Sequence, residues 1–150
     1  MAEIARRAGV GMATLYRNFP GRRELLEALY VDEVNVVCRA AGTLDAATPG
    51  ASLRAWLHQF FAFYRSKRHL GAELLKHSDE SEPIFSGNRD RVLAAGRPLL
   101  VTAQRAGEVR ADITLEQLLD MVVAIAMIQG DPSYLQPILQ TALAGLRPPD

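Results

Sequence analysis

The chain has 150 residues, 49% apolar and 23% charged, enough to bury the core of one modest domain plus an appendage. Basic and acidic residues number 17 each, which excludes a protein that coats nucleic acid through net charge. The single Cys38 excludes an internal disulfide and reads as a small buried or half-buried side chain rather than a redox sensor; no signal peptide and no apolar run near the roughly 18 residues of a membrane span are present, so a reducing cytoplasm is the expected location.

Residues 4–23, IARRAGVGMATLYRNFPGRR, read as a helix-turn-helix. A first short helix carries Ile4, Ala5 and Ala8 and meets Gly9; a second carries Thr14, Leu15, Tyr16 and Phe19. Two helices crossing through a short turn need a small residue at closest approach and a turn residue tolerant of positive φ, and Ala5 and Gly9 supply them. Ile4, Val10 and Leu15 are expected to close the wedge, leaving Thr14, Tyr16, Arg17 and Asn18 outward on a helix shaped for a major groove. Residues 1–30 hold five arginines against three glutamates, so the local charge favours phosphate although the whole chain is neutral.

Pro20 stops the second helix, and a long helix is expected over Arg22–Ala41, with Leu25, Leu26, Leu29, Val34 and Val37 at helical spacing. Gly42–Ser52 reads as a loop and as the boundary between residues 1–41 and 42–150. A helix over about Ala51–Lys67 follows, with Leu53, Trp56, Leu57, Phe60, Phe61, Phe63 and Tyr64 making it aromatic over more than one side. In the next helical pattern, His69–Ser78, His69, Glu73 and His77 fall at i, i+4 and i+8. Metal sites draw on several elements, so surface or cavity-edge histidines are favoured over a metal site or a proton relay.

Ser78–Pro83 is an acidic turn. The pattern from Ile84 to Ala106 is interrupted by Gly96 and Pro98, which predicts a kink or break. Gly107 caps that segment and residues 108–113 form a loop. Thr114 and Gln117 make a capping box for a helix over Leu115–Gln129 that has almost no polar face. Burial on all sides predicts a partner subunit covering it. Asp131 and Pro132 start the last helix, whose stripe includes Leu135, Ile138 and Leu139; Pro137 is expected to shift its start later.

The run GVGMATLYRNFPGRRELL at Gly9–Leu26 resembles the recognition helix and following helix of the tetracycline-repressor (TetR) family of bacterial transcription regulators. The TLYxxF core followed by a basic residue and ELL carries most of that likeness. A weaker match, AQRAGEVRADIT at Ala103–Thr114, resembles the lead-in to the family's dimerisation helices. The resemblance implies an all-α fold, a headpiece bound to operator DNA, a body enclosing a small-molecule effector, and a homodimer without membrane contact or cofactor. In that family another helix precedes the segment that begins here at Met1, so a loose headpiece is expected.

Carried onto this chain, the resemblance makes Thr14, Tyr16, Arg17, Asn18 and Arg22 the expected DNA contacts. Trp56, Phe60, Phe63 and His77 are candidate cavity walls. Leu118, Val122, Ile125, Leu135 and Leu139 are the expected dimer interface, part of a four-helix bundle between two chains. The alternative is a ligand-binding helical dimer that no longer binds DNA. An enzyme ranks third, because no phosphate loop, metal-ligand cluster or nucleophile motif occurs.

Overall fold

Helices are the only regular elements among residues 1–76 and 83–149, the residues that this structure, a computed structural model, describes. In chain order they are α1 (Ala2–Ala8), α2 (Met12–Asn18), α3 (Arg22–Thr43), α4 (Pro49–Leu75), α5 (Pro83–Arg105), α6 (Leu115–Met127) and α7 (Pro132–Ala144). The all-α expectation holds.

The headpiece turn forms as its residues dictate. Gly9 adopts φ 67° and ends α1. Its N–H donates to Arg6 O (3.3 Å) and the Val10 N–H donates to Ala5 O (3.0 Å), the paired bonds of a Schellman cap. Ala5 is buried where the helices approach, and Leu15 fills the wedge. Ile4 and Val10, expected to share that role, are 41% and 40% exposed, because two seven-residue helices offer one another too little surface to cover them.

The body is a layered packing of α3, α4 and α5, with α6 against α4 and α5 and α7 outside α6. Residue numbers rise along α3 as they fall along α4. Arg22 pairs with Glu73 at 3.1 Å, Glu33 with Lys67 at 2.7 Å, and the Trp56 indole N–H donates to Val37 O at 3.0 Å, so the two helices are antiparallel.

Trp56 is the keystone of this layer. Its ring is fully buried and stacked on Phe60 at 6.2 Å. A Cβ at Gly96 of α5 would sit 2.3 Å from the Trp56 ring, so only glycine lets α5 approach this closely.

Several boundaries differ from expectation. The loop shortens to residues 44–48, because Thr48 Oγ1 accepts from the Ala51 N–H and Glu108 reaches across to accept from the Gly50 N–H at 2.9 Å. These caps start α4 at Pro49, two residues earlier than the aromatic pattern suggests. The two helices expected between residues 51 and 78 are one, since nothing between Lys67 and His69 breaks the backbone ladder. The acidic turn from Ser78 lies almost wholly outside the described residues, and His77 lies outside them.

Pro98 sits inside α5, which is assigned as a single helix through it, and Pro137 is likewise inside α7. The capping box of α6 is complete: the Gln117 N–H donates to Thr114 Oγ1 at 3.2 Å and Gln117 Oε1 accepts from the Thr114 N–H at 2.9 Å. Gln104 Nε2 donates to Arg110 O and Ile113 O, both at 3.0 Å, and so holds the loop that leads into α6.

Candidate functional site

The α2 helix presents Thr14, Tyr16, Arg17 and Asn18 outward, with Tyr16 45% exposed, while Leu15 anchors the opposite side. Local hydrogen bonding distinguishes these four. Asn18 Nδ2 donates to Thr14 O at 2.8 Å and so serves its own helix end, whereas Arg17 makes no ion pair among the described residues. On α1, Arg6 and Arg7 both lie on Glu3, at 2.6 and 2.8 Å. The Arg6 contact, followed by that of Arg7, holds the Glu3 carboxyl below the ordinary range.

Arg22, expected on a phosphate, instead pairs with Glu73 near the far end of α4. Its side chain stays 65% exposed, so the pair is a weak surface bridge that other anions can displace. Glu73 also accepts from Lys76 Nζ at 2.9 Å, and these contacts occupy the middle residue of the His69, Glu73 and His77 series.

Inside the body lies a cavity of about 200 Å³. α3 contributes Tyr30 and Val34, and α4 contributes Phe60, Phe63 and Tyr64. α5 adds Asn88, Arg89 and Val92, and α6 adds Leu119 and Val123, leaving the cavity partly open to solvent. Of the expected walls, Phe60 and Phe63 line this cavity, while Trp56 lies one layer behind Phe60, its indole N–H donating to Val37 O and its ring against Gly96. Burial pushes the Tyr30 phenol up, with Tyr64 adding to the effect, so the Tyr30 ring stays neutral near pH 7. Arg89 lines the same space but donates to Asp120 Oδ1 at 2.9 Å.

The five residues expected at a dimer interface face the chain's own core. Leu118, Val122, Ile125, Leu135 and Leu139 are all buried within one chain, at 8% exposure or less. α6 packs against α4, α5 and α7 through these side chains and leaves Gln117, Asp120, Ala124 and Met127 exposed on its other face. The large apolar side chains left outward at α6 and α7 are Met127, Ile128 and Tyr134, with Met127 61% and Tyr134 60% exposed.

Tyr30, Tyr64, Asn88 and Arg89 went unmarked in the sequence because polar residues on long helices carry no local signature of facing a cavity. Arg65 was missed for a similar reason. Its guanidinium donates to Ala126 O (3.2 Å), Ile128 O (3.1 Å) and Gly130 O (2.8 Å). A cation from α4 thus caps the negative end of α6 and ties the cavity wall to the α6–α7 corner.

No described helix is long and apolar enough to cross a membrane. Among the described residues no three His, Cys, Asp or Glu side chains converge on a metal-sized site.

Comparison with known proteins agrees with this arrangement. Residues 48–148 match a family model described as the C-terminal domain of SbtR-like transcriptional regulators, and residues 1–29 match one described as bacterial regulatory proteins of the tetR family. An uncharacterized HTH-type transcriptional regulator of Mycobacterium tuberculosis is 31% identical over 133 residues, and one of Mycobacterium bovis gives the same figures. The alignment covers 84% of this chain and 66% of either relative, so the chain spans just under two thirds of their length.

Among solved structures, a TetR transcriptional regulator from Streptomyces coelicolor superposes with a TM-score of 0.80 at 32% identity, covering 98% of this chain and 86% of that one. A TetR transcription regulatory protein from Mycobacterium vanbaalenii gives 0.76 at 32% identity, with 97% and 81% covered. On these matches, the chain belongs to the TetR family of bacterial regulatory proteins.

Proposed function

We propose that this chain is a DNA-binding regulator of transcription, a repressor, that works as a homodimer and answers to a small molecule held in the body. One observation carries the reading. α3 is a single helix of 22 residues whose first turn follows the recognition helix and whose middle supplies Tyr30 and Val34 to the cavity. At about 1.5 Å per residue such a helix is a lever about 33 Å long. An occupant that displaces Tyr30 and Val34 therefore moves the headpiece.

Arg17 reaches base edges, and Thr14 and Tyr16 contact phosphates. Arg22 exchanges Glu73 for a phosphate when DNA binds. Two chains pair through the outward apolar side chains at the α6–α7 corner, Met127, Ile128 and Tyr134, rather than through the buried leucines. Twofold pairing sets the recognition helices roughly 34–36 Å apart, one turn of DNA. The effector must favour one headpiece spacing over the other, since equal affinity for both shifts nothing. The body is residues 42–150 together with the half of α3 that packs into its core, and the location is the cytoplasm.

Selection of duplexes from a random pool, followed by gel shift, tests the DNA reading. The chain is expected to enrich a palindromic site and to lose the shift on Arg17→Ala and Tyr16→Ala. A shift retained by both variants removes α2 as the reading element. Ligand binding by a chain that shifts no duplex supports instead a ligand-binding dimer without DNA function.

A further inference from the structure

We infer that the cavity selects a neutral molecule the size of one aromatic ring that carries a single hydrogen-bond acceptor, read by the side-chain amide of Asn88. The inference rests on the effector reading given above and names the ligand class for that site.

Size comes first. A cavity of about 200 Å³ is below the roughly 300–1,000 Å³ of sites for drug-sized ligands. An apolar cavity of about 150 Å³ takes benzene. A single ring with a short substituent fits between these limits, and Phe60 and Phe63, their rings 6.2 Å apart, give it aromatic neighbours.

The polar requirement comes from Asn88, whose side chain is buried at 5% exposure. Arg91 Nη1 can only donate, so the Asn88 atom that it meets at 3.1 Å is Oδ1, and this fixes the amide's orientation. That is the one hydrogen bond Asn88 makes through its side chain among the described residues, which leaves Nδ2 with two N–H donors. The nitrogen is not sealed by protein, and Asn88 lines the cavity. A buried donor in this state favours an acceptor on whatever enters, since leaving it unmet costs about 1–3 kcal/mol.

A negative charge is disfavoured by what surrounds the space. Among the described residues Arg89 is the one charged side chain of the lining, and its guanidinium is paired with Asp120 in a half-exposed bridge. A carboxylate entering among Val34, Phe60, Phe63 and Val92 would lose its water and would gain a cation only by displacing Asp120 from Arg89.

Calorimetric titration of the full chain with acetophenone, ethylbenzene and benzoate tests the inference. These probes share a ring and differ in carrying an acceptor, no polar atom and a charge. Acetophenone is expected to bind about tenfold tighter than either of the others. Asn88→Asp keeps an oxygen for Arg91 and removes the NH2 donor; Asn88→Leu removes both without adding charge. Both variants are expected to lose the acetophenone advantage, while ethylbenzene binds Asn88→Leu at least as well as the parent chain, with circular dichroism confirming the fold. Equal binding of acetophenone and ethylbenzene, preference for benzoate, or an unchanged advantage in both variants overturns the ligand class and leaves the effector site standing. Binding of none of the three to a folded chain overturns the effector site as well.

Discussion

The headpiece and the body are built to different standards of packing. α1 and α2 bury only Ala5 and Leu15 and leave Ile4, Val10, Met12 and Tyr16 in solvent. In the body, α6 alone buries six residues, and α4 is fixed at one end by Thr48 and Glu108 and along its length by Trp56 and Arg65. Burying a large apolar side chain contributes about 1.5–3 kcal/mol, so the body carries its own stability and the headpiece contributes little. A helix pair with weak internal packing is joined to the body through α3, which follows it in the chain. Its position is therefore sensitive to what happens at the other end of that helix.

This contrast can be broken most forcefully at Trp56. Trp56→Ala is expected to cost about 3–5 kcal/mol in urea unfolding, and a loss under about 1 kcal/mol would mean that the body is not organised around that ring. Arg65→Met should cost about 1–2 kcal/mol and speed amide exchange at the α6–α7 corner, since Ala126, Ile128 and Gly130 lose a charged cap.

Leu15→Ala sharpens the contrast from the other side. The main unfolding transition should stay within about 0.5 kcal/mol of the parent, while amides of residues 2–18 exchange faster. A drop of several kcal/mol in the main transition would show that headpiece and body unfold as one unit.

The smallest expected effect is at Asp131. Its carboxyl is held below the ordinary aspartate range by Ser133 Oγ, which donates at 2.6 Å, and then by the Tyr134 N–H at 3.0 Å. A carboxyl with a lowered folded pKa stabilises above its unfolded value, about pH 4, and that stability is lost as pH falls through the folded value. Asp131→Asn retains an acceptor for the cap and should flatten this part of the acid limb; an unchanged limb would remove Asp131 from the account.

What could be read in the sequence was mostly what is decided within a few residues. The positive φ of Gly9, the Thr114–Gln117 box and the Asp131–Pro132 start all depend on neighbours no more than four positions away. Features that depend on distant partners were misread or missed. The greasy face of α6 suggested a second chain because the packing of α4 against it, from about fifty residues earlier, leaves no local sign in the sequence. Trp56 sits on the same helix as Phe60 and Phe63, yet it turns towards Gly96, forty residues on, and not into the cavity. The early start of α4 depends on Glu108, which is 58 residues from Gly50. The donor of Asn88 is left over only because Arg91 takes the oxygen.

The central claim is that α3 transmits the state of the cavity to the recognition helix. Spin labels at Ala13→Cys and Ala94→Cys, both exposed, in a Cys38→Ser background and diluted with unlabelled chain, report the distance between headpiece and body. With acetophenone saturating the cavity, the account predicts a shifted distance distribution, and no shift in a Val123→Phe chain whose cavity is already filled. Superimposable distributions with the cavity empty and occupied would contradict it.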